Sequence, residues 1–114
     1  MKFPKCLRLS KKRDFDRIFR DPEKIFLHGI TMLVKKNSLK YPRLGLMVSK
    51  KNIKKSFARN KIKRLFREYF RINCIYFKKM DFVILVKKDL KNLKNVKINA
   101  MLNRLWERYH IFRK

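Results

Sequence analysis

The 114-residue chain has few of the residues that break or crosslink a fold: two glycines, three prolines and two cysteines. Turns are therefore scarce. Cys6 and Cys74 lack the paired spacing of a zinc site or a redox motif, so we expect free thiols. His28 and His110 have no second ligand at metal-binding spacing, which argues against a metal site or a cofactor held by protein side chains.

Acidic residues are also scarce, with eight Asp and Glu against 34 Lys and Arg, for a formal net charge of +26. Self-repulsion on this scale calls for a polyanionic partner, either nucleic acid or an anionic membrane. The length suits one domain over residues 1–114. A hydrophobic content of 46% is too high for a solvated, disordered tail, so this domain should fold.

Long hydrophobic runs are absent. The longest uncharged apolar run is 82–86, whereas a bilayer-spanning helix needs about 20 apolar residues. The basic N-terminus is not followed by the apolar stretch of a secretory signal. We therefore expect a cytoplasmic protein with no membrane partner.

The spacing of apolar residues predicts a mixed fold. Residues 11–20 form a predicted helix with Ser10 as its N-cap, ended by Asp21-Pro22. Residues 30–34 and 44–49 read as two strands of a hairpin joined by a turn at 37–42, with a third strand before Gly29. Further breaks are predicted at His28-Gly29 and over 92–95.

The second half predicts a main helix over 56–73, a strand over 81–86 that is buried on both faces, and a final amphipathic helix from Ile98 to Tyr109. The apolar set of the main helix is Ala58, Ile62, Leu65, Phe66 and Tyr69, and Asn73 continues the same spacing. The predicted order is α-β-β-β-α-β-α, and the fold class is α+β, an α-β sandwich.

The main helix carries an unusual polar face. Opposite its apolar arc, at about 100° per residue, lie Arg59, Asn60, Lys63, Arg64, Arg67 and Arg71, with Lys61 and Glu68 at the edge. An ordinary charge run is a solvated face. Here, however, one acid accompanies many bases, so like-charge repulsion destabilises the helix unless an anion binds. Arginine also suits bidentate phosphate contacts. Lys50, Lys51, Lys54 and Lys55 precede the helix and extend the cationic surface.

Phe15 and Phe19 lie one helical turn apart on the first helix. Such a pair is more often part of a core. The alternative is a platform on which unpaired bases stack. Ile18 could then serve the core while one or both rings face a ligand.

Several segments together resemble a known family, the bacterial ribonuclease P protein. Residues 50–52 and 58–68 look like its Arg-Asn-Arg box. Residues 3–4, 7–9, 14–19, 42–51, 80–83, 87–88 and 105–106 look like its remaining segments, particularly in the proteobacterial branch. The likeness covers essentially the whole chain.

The resemblance implies a left-handed βαβ crossover made by the strand before the box, the main helix and the last strand. It also implies a ribonucleoprotein that removes the 5′ leader of precursor tRNA. There the RNA subunit, paired 1:1 with the protein, does the chemistry with Mg²⁺, and the protein contributes no catalytic residue. The protein binds the ribonuclease P RNA and the leader, and so lowers the Mg²⁺ requirement.

The resemblance also assigns residues. Phe15 and Phe19 would line the leader cleft between the first helix and the sheet. The residues that would contact RNA are Lys50, Lys51, Arg59, Asn60, Lys61, Lys63, Arg64, Arg67 and Arg71. Lys61 departs from the family pattern, because the box usually has its second arginine there. Charge is kept, but lysine lacks the planar fork with which arginine makes a bidentate contact.

Three other functions compete with this one. A protein nuclease would need clustered carboxylates or a His-based acid–base pair, and neither is visible. A structural, ribosomal-type RNA-binding protein without a processing role would fit size, charge and fold class equally well. A membrane-active protein fits less well, because the main helix has a core-like apolar stripe opposite its polar face.

Overall fold

Three helices and four strands make up most of the chain in this computed structural model, which describes residues 3–88, 90 and 93–111. In chain order they are α1 (Lys12–Phe19), β1 (Glu23–Leu27), β2 (Ile30–Lys36), β3 (Arg43–Val48), α2 (Ser56–Asn73), β4 (Met80–Val86) and α3 (Asn95–Trp106). Short 3-10 turns occupy Lys5–Leu7, Cys74–Tyr76 and Glu107–Tyr109. The predicted order of helices and strands is confirmed, as is the α+β class.

The four strands form one sheet in the order β1-β2-β4-β3. β4 pairs antiparallel with β2 and parallel with β3, so it is the interior strand that its apolar sequence predicted. Parallel neighbours need a long connection, and α2 supplies it between β3 and β4. The left-handed sense of this crossover stays a prediction.

The predicted hairpin between residues 30–34 and 44–49 is wrong. β2 and β3 do not pair, because β4 lies between them and hydrogen-bonds to both. Both segments are apolar enough to flank a buried strand, and local periodicity cannot distinguish direct neighbours from strands one position apart.

The hairpin in this sheet joins β1 and β2, whose register pairs Leu27 with Ile30. The two residues between them, His28 and Gly29, have φ values of 44° and 77°. Two positive φ values in a two-residue loop match the twist of the flanking strands. The predicted break at His28-Gly29 is thus a tight turn, and the strand predicted before Gly29 is β1.

The predicted N-cap at Ser10 is also wrong. Lys11 occupies the N-cap position in extended conformation, without a side-chain cap, and α1 begins at Lys12. In the segment before α1, the backbone N–H of Leu9 donates to Leu44 O of β3 at 2.9 Å. Tertiary attachment thus sets the start of α1.

Apolar side chains pack on both faces of the sheet. The larger cluster lies beneath α2 and α3 and includes Phe66, Phe82 and Trp106. In α2, Ile62 and Tyr69 are buried as predicted, and Phe70, which the predicted apolar set omits, is fully buried as well. The smaller cluster lies beneath α1 and consists of Leu9, Ile18, Leu33 and Val83, with Phe15 and Leu85 packed against it.

Cys6 is exposed and Cys74 is buried, and both are free thiols as predicted. The predicted break over 92–95 falls partly on residue 92, outside the described residues, and α3 begins at Asn95. No helix in the described part of the chain combines the length and apolarity needed to cross a membrane.

Candidate RNA interface

A groove between α2 and the N-terminal segment gathers most of the predicted helix face. We call it the cationic groove; it has a volume of about 710 Å³ and is lined by Phe3, Pro4, Lys5, Arg8, Asn60, Lys63, Arg64, Arg67 and Glu68. Five of these side chains are cationic and one is acidic. The groove therefore offers a concentrated positive surface with an amide beside it.

Aromatic contacts hold the N-terminal segment in place along the groove. The ring of Phe3 packs against that of Phe70 with 6.0 Å between centroids, and the guanidinium of Arg8 lies 5.9 Å from the Phe3 ring centroid. Arg8 also forms an isolated parallel bridge with Leu44 of β3. These contacts bring Arg8 to the same groove as α2.

Arg8 and Arg67 face each other as like charges. Partial burial and the charge of Arg8 lower the pKa of Arg67 below its ordinary value. Two guanidinium groups in one groove repel each other unless an anion lies nearby. The geometry suits a phosphate, which accepts bidentate hydrogen bonds from arginine.

Three other predicted residues of the helix lie outside the groove lining. Arg59 folds back, and its Nη1 donates to Ile53 O at 2.7 Å and to Lys54 O at 2.9 Å. Lys61 instead lines a cavity on the other side of the helix, with Lys54 and Leu90 among its neighbours. The structure thus assigns Arg59 a structural contact and separates Lys61 from the groove.

Arg71 lies one helical turn beyond the groove and forms an ion pair with Glu68. The hydrogen bond from Arg71 lowers the pKa of Glu68. Lys50 and Lys51 are exposed in the turn after β3 and are also outside the groove lining. The predicted face is therefore divided, and Asn60, Lys63, Arg64 and Arg67 form its shared part.

A second basic groove adjoins the first at Lys5 and Arg8. It runs between the N-terminal segment, α1 and the β2–β3 connection, and its lining includes Lys11, Arg13, Arg17, Lys36 and Arg43 with one acid, Asp14. Three lining residues of this groove contact Asp81, which is fully buried. This carboxylate accepts hydrogen bonds from Arg17 of α1, from Asn37 Nδ2 at 2.9 Å and from Arg43 of β3.

Phe15 and Phe19 adopt different environments. Their ring centroids are 6.4 Å apart with an interplanar angle of 29°. Phe15 is half-buried against the small cluster, and Phe19 is 42% exposed. A Cβ placed on Gly45 would lie 2.9 Å from the Phe15 ring, so a glycine in β3 permits this close approach. Phe15 therefore fits the core interpretation in part, and the exposed ring of Phe19 fits the interpretation as a stacking platform.

The sequence-based site missed Lys5 and Arg8. Their part in the groove depends on how the N-terminal segment docks, which charge patterning does not predict. The one local signal is Phe3, an aromatic residue beside a basic stretch, whose ring anchors the segment to α2.

Within residues 3–88, 90 and 93–111, no three His, Cys, Asp or Glu side chains lie close enough to hold a metal ion together. The acids of both grooves are partnered by cations. Glu68 forms an ion pair with Arg71, and Oδ1 of Asp14 lies 3.6 Å from Nη2 of Arg43. Both grooves therefore present a net positive charge.

Comparison with known proteins places the chain in a family. The sequence model of the Ribonuclease P family matches residues 3–110. The ribonuclease P protein component of Proteus mirabilis is 41% identical over 107 residues, which cover 94% of this chain and 90% of that protein.

Solved structures agree. The RNase P protein from Thermotoga maritima has a TM-score of 0.80 at 32% identity, over 90% of this chain and 97% of that one. A Staphylococcus aureus RNase P protein mutant with defective mRNA degradation activity has a TM-score of 0.84 at 27% identity, over 91% and 88%. The chain therefore belongs to the bacterial ribonuclease P protein family and is a protein subunit of the ribonuclease that processes the 5′ end of tRNA.

Proposed function

We propose that the protein divides two tasks between two surfaces. The cationic groove binds the ribonuclease P RNA, and the aromatic pair on α1 with the adjoining sheet face binds the 5′ leader of precursor tRNA. Bond cleavage takes place on the RNA subunit. The observation that carries this proposal is the cationic groove, where five cations from α2 and the N-terminal segment meet.

RNA binding to the groove follows from its charge. Lys63 and Arg64 lie on α2, and Lys5 and Arg8 face them from the N-terminal segment. Each phosphate neutralised by such cations releases condensed counterions, so affinity falls as salt rises. An RNA backbone in the groove would also relieve the repulsion between Arg8 and Arg67.

Leader binding at Phe15 and Phe19 follows from their exposure and from the single-stranded nature of a leader. Base stacking on an aromatic ring contributes about 1–3 kcal/mol and tolerates any sequence. Phe19 presents the more open ring, and Phe15 is fixed above Gly45. Such a pair would hold an unpaired strand without selecting a particular base.

The same charge accounts for a lowered Mg²⁺ requirement. Where leader and catalytic RNA approach, phosphates repel one another, and either metal ions or protein cations can neutralise them. The Mg²⁺ ions of the reaction are held by RNA in this proposal, and the protein holds no cofactor. Its role in catalysis is to bind and to position.

The proposal has three further parts, which rest on the family. The protein acts as one RNA-binding domain over residues 1–114, it pairs with the RNA subunit in a 1:1 ratio, and it works in the cytoplasm. Mass measurement of the assembled particle tests the ratio.

The test of the proposed function is cleavage of precursor tRNA by the cognate ribonuclease P RNA at low Mg²⁺, with and without the protein, beside a reaction with protein alone. We expect cleavage in the combined reaction only. Cleavage by the protein alone would contradict chemistry on the RNA. Absence of stimulation, with RNA that is active at high Mg²⁺, would favour a structural RNA-binding protein without a processing role.

The leader assignment is tested with Phe15→Ala in the same holoenzyme. We expect weaker binding of precursor tRNA and unchanged binding of mature tRNA, which has no leader. The reduction should be roughly 5- to 150-fold, the range that corresponds to stacking of one base. Equal losses for both RNAs would exclude stacking on the leader.

A further inference from the structure

An aromatic side chain outside the predicted site lies open on the sheet. Phe26, in β1, is 71% exposed, whereas its strand neighbours Ile25 and Leu27 pack against the main core. Burying a phenylalanine is favourable, and an exposed ring marks a binding surface where it belongs to a larger apolar patch.

The strand register assigns Phe26 to the face that carries α1. Phe26 pairs with Thr31, Thr31 with Leu85, and Leu85 with Met47, so the four residues form one row across all four strands. Leu85 packs against the cluster beneath α1. Side chains directly opposite in a ladder share a face, and therefore the whole row does. We call it the open row.

The open row adjoins the aromatic pair. The neighbouring row, two residues away along each strand, contains Leu33, Val83 and Gly45. Phe15 lies over Gly45. At the two ends of the open row, Met47 is 42% exposed and Phe26 is more exposed still. A strip that is apolar except for Thr31 therefore runs from Phe15 above β3 diagonally to Phe26 on β1.

The charges near Phe26 favour a polyanion. Lys24, exposed and two residues before Phe26 in β1, belongs to the same face. Lys87, also exposed, follows Leu85 by two residues, and its backbone N–H donates to Gly29 O at 3.0 Å. Glu23 is bound on the opposite face, where its carboxylate accepts a hydrogen bond from Tyr109 at 2.9 Å.

We propose that Phe26 extends the leader site, as a third aromatic platform on which a leader base farther from the cleavage point stacks. The inference rests on the proposed leader binding at Phe15 and Phe19. Three strand spacings of about 4.8 Å separate the ends of the open row, a span of about 14 Å. Four-stranded sheets with exposed aromatic residues elsewhere stack two or three bases on one face.

The experiment uses holoenzyme reconstituted with the cognate RNA and precursor tRNAs whose leaders are lengthened one nucleotide at a time. For Phe26→Ala we expect kcat/KM to match the unmodified holoenzyme on the shortest leaders. On leaders that reach β1 it should drop at least about fivefold, the factor that corresponds to ~1 kcal/mol of stacking. A loss independent of leader length, or no loss on any leader, would overturn the proposal.

Substitutions at the same position separate stacking from simple apolar contact. Phe26→Tyr should retain long-leader activity, and Phe26→Leu should lose it. Recovery with leucine would contradict base stacking. Ile75→Ala removes a side chain of similar exposure, 70%, from the turn after α2, and we expect no dependence on leader length.

Phe15→Ala, measured in parallel, distinguishes the two proposals. A leader-dependent loss with Phe15→Ala and none with Phe26→Ala overturns the extension and leaves the leader site intact. No loss with either variant overturns both. A leader-dependent loss with Phe26→Ala alone supports the platform and removes Phe15 from the leader site.

Direct contact is read from fluorescence. The natural tryptophan, Trp106, is buried at 1% exposure, so Phe26→Trp introduces an exposed emitter at the site. Emission should be quenched by long-leader precursor and not by mature tRNA.

A second protein copy is the other possible occupant of the open row. Light scattering that finds a wild-type dimer abolished by Phe26→Ala, with leader binding unchanged, would overturn the proposal.

Discussion

Arg43 donates two parallel hydrogen bonds to Asp81, from Nε to Oδ1 and from Nη2 to Oδ2, both at 2.8 Å. Asp81 lies near the start of β4 and is fully buried. Arg43, the first residue of β3, is its partner in the parallel pairing. Arg17 of α1 donates to the same carboxylate. One acidic side chain therefore ties the first helix to two strands in a strongly cationic protein.

Replacing Asp81 with asparagine should destabilise the fold by about 3 kcal/mol, because the partly buried Arg43 loses its bidentate counter-charge and keeps only the longer contact with Asp14. Chemical denaturation measures the loss. Asp16→Asn is the matched control, since Asp16 forms an exposed pair with Lys12 at 3.7 Å and should contribute about 0.5 kcal/mol or less. Equal losses for the two variants would show that the Asp81 network is unimportant for stability.

Acid should weaken the same network. Burial alone would raise the pKa of Asp81, but hydrogen bonds from Arg43 and Asn37 outweigh it, so the pKa is lowered from its ordinary value of 3.8. A lowered folded pKa contributes stability above the unfolded value, and this stability is lost as pH falls through the folded pKa. We expect the unfolding free energies of wild type and Asp81→Asn to converge below about pH 4. A constant difference would refute this assignment.

Alkaline pH should act through Tyr69. Burial raises its pKa from 10.0 to about 12, and its hydroxyl donates to Asn103 Oδ1 at 2.5 Å. A raised folded pKa means that the stability is fully present below pH 10 and is lost as pH rises toward 12. Tyr69→Phe should flatten the decline in unfolding free energy over this range. Tyr109, with a pKa also raised to about 12 by burial and by Glu23, should retain a similar share of the decline.

Sequence periodicity predicted the elements well and their pairing poorly. The apolar spacing of α2 and the β-branched run of β4 are local signals, and both elements form where predicted. The position of β4 between β2 and β3 depends on contacts between segments that are distant in the sequence, such as that of Arg43 with Asp81. Periodicity within residues 30–49 does not report such contacts.

In the candidate site, too, local periodicity predicted some residues, and long-range contacts determine the others. The helical wheel predicted that Asn60, Lys63, Arg64 and Arg67 would share a face, because α2 is a regular helix. It could not predict that Arg59 folds back onto Ile53 O, since a rotamer choice is decided by nearby acceptors. It also could not place Lys5 or Phe26, whose roles depend on docking and on strand register.

Gly45→Ala should move Phe15. The added methyl would lie 2.9 Å from the ring and 3.3 Å from Leu9 Cβ, so the ring must shift or the segment before α1 must yield. Overpacking of this kind costs roughly 1–3 kcal/mol. We expect a lower melting temperature together with weaker binding of leader-bearing precursor. The double variant Gly45→Ala with Phe15→Ala should recover stability but not leader binding, and lack of recovery would place the clash elsewhere.

Arg64→Ala should weaken RNA binding without unfolding the protein. Arg64 is exposed on the groove side of α2, whereas Arg59 and Arg71 have contacts within the protein. A lost charge-assisted contact to phosphate corresponds to roughly 1.5–3 kcal/mol of binding free energy.

The slope of log affinity against log salt should fall by about 0.7–0.9 for that single contact, which separates a lost phosphate contact from a general distortion. Filter binding of ribonuclease P RNA over a salt series measures both quantities. Arg104→Ala, an exposed arginine on α3 outside the cationic groove, is the matched control and should alter neither. If Arg64→Ala lowered the melting temperature in proportion to affinity, Arg64 would be a structural residue, and the groove's RNA contacts would fall to Lys63, Arg67 and the N-terminal segment.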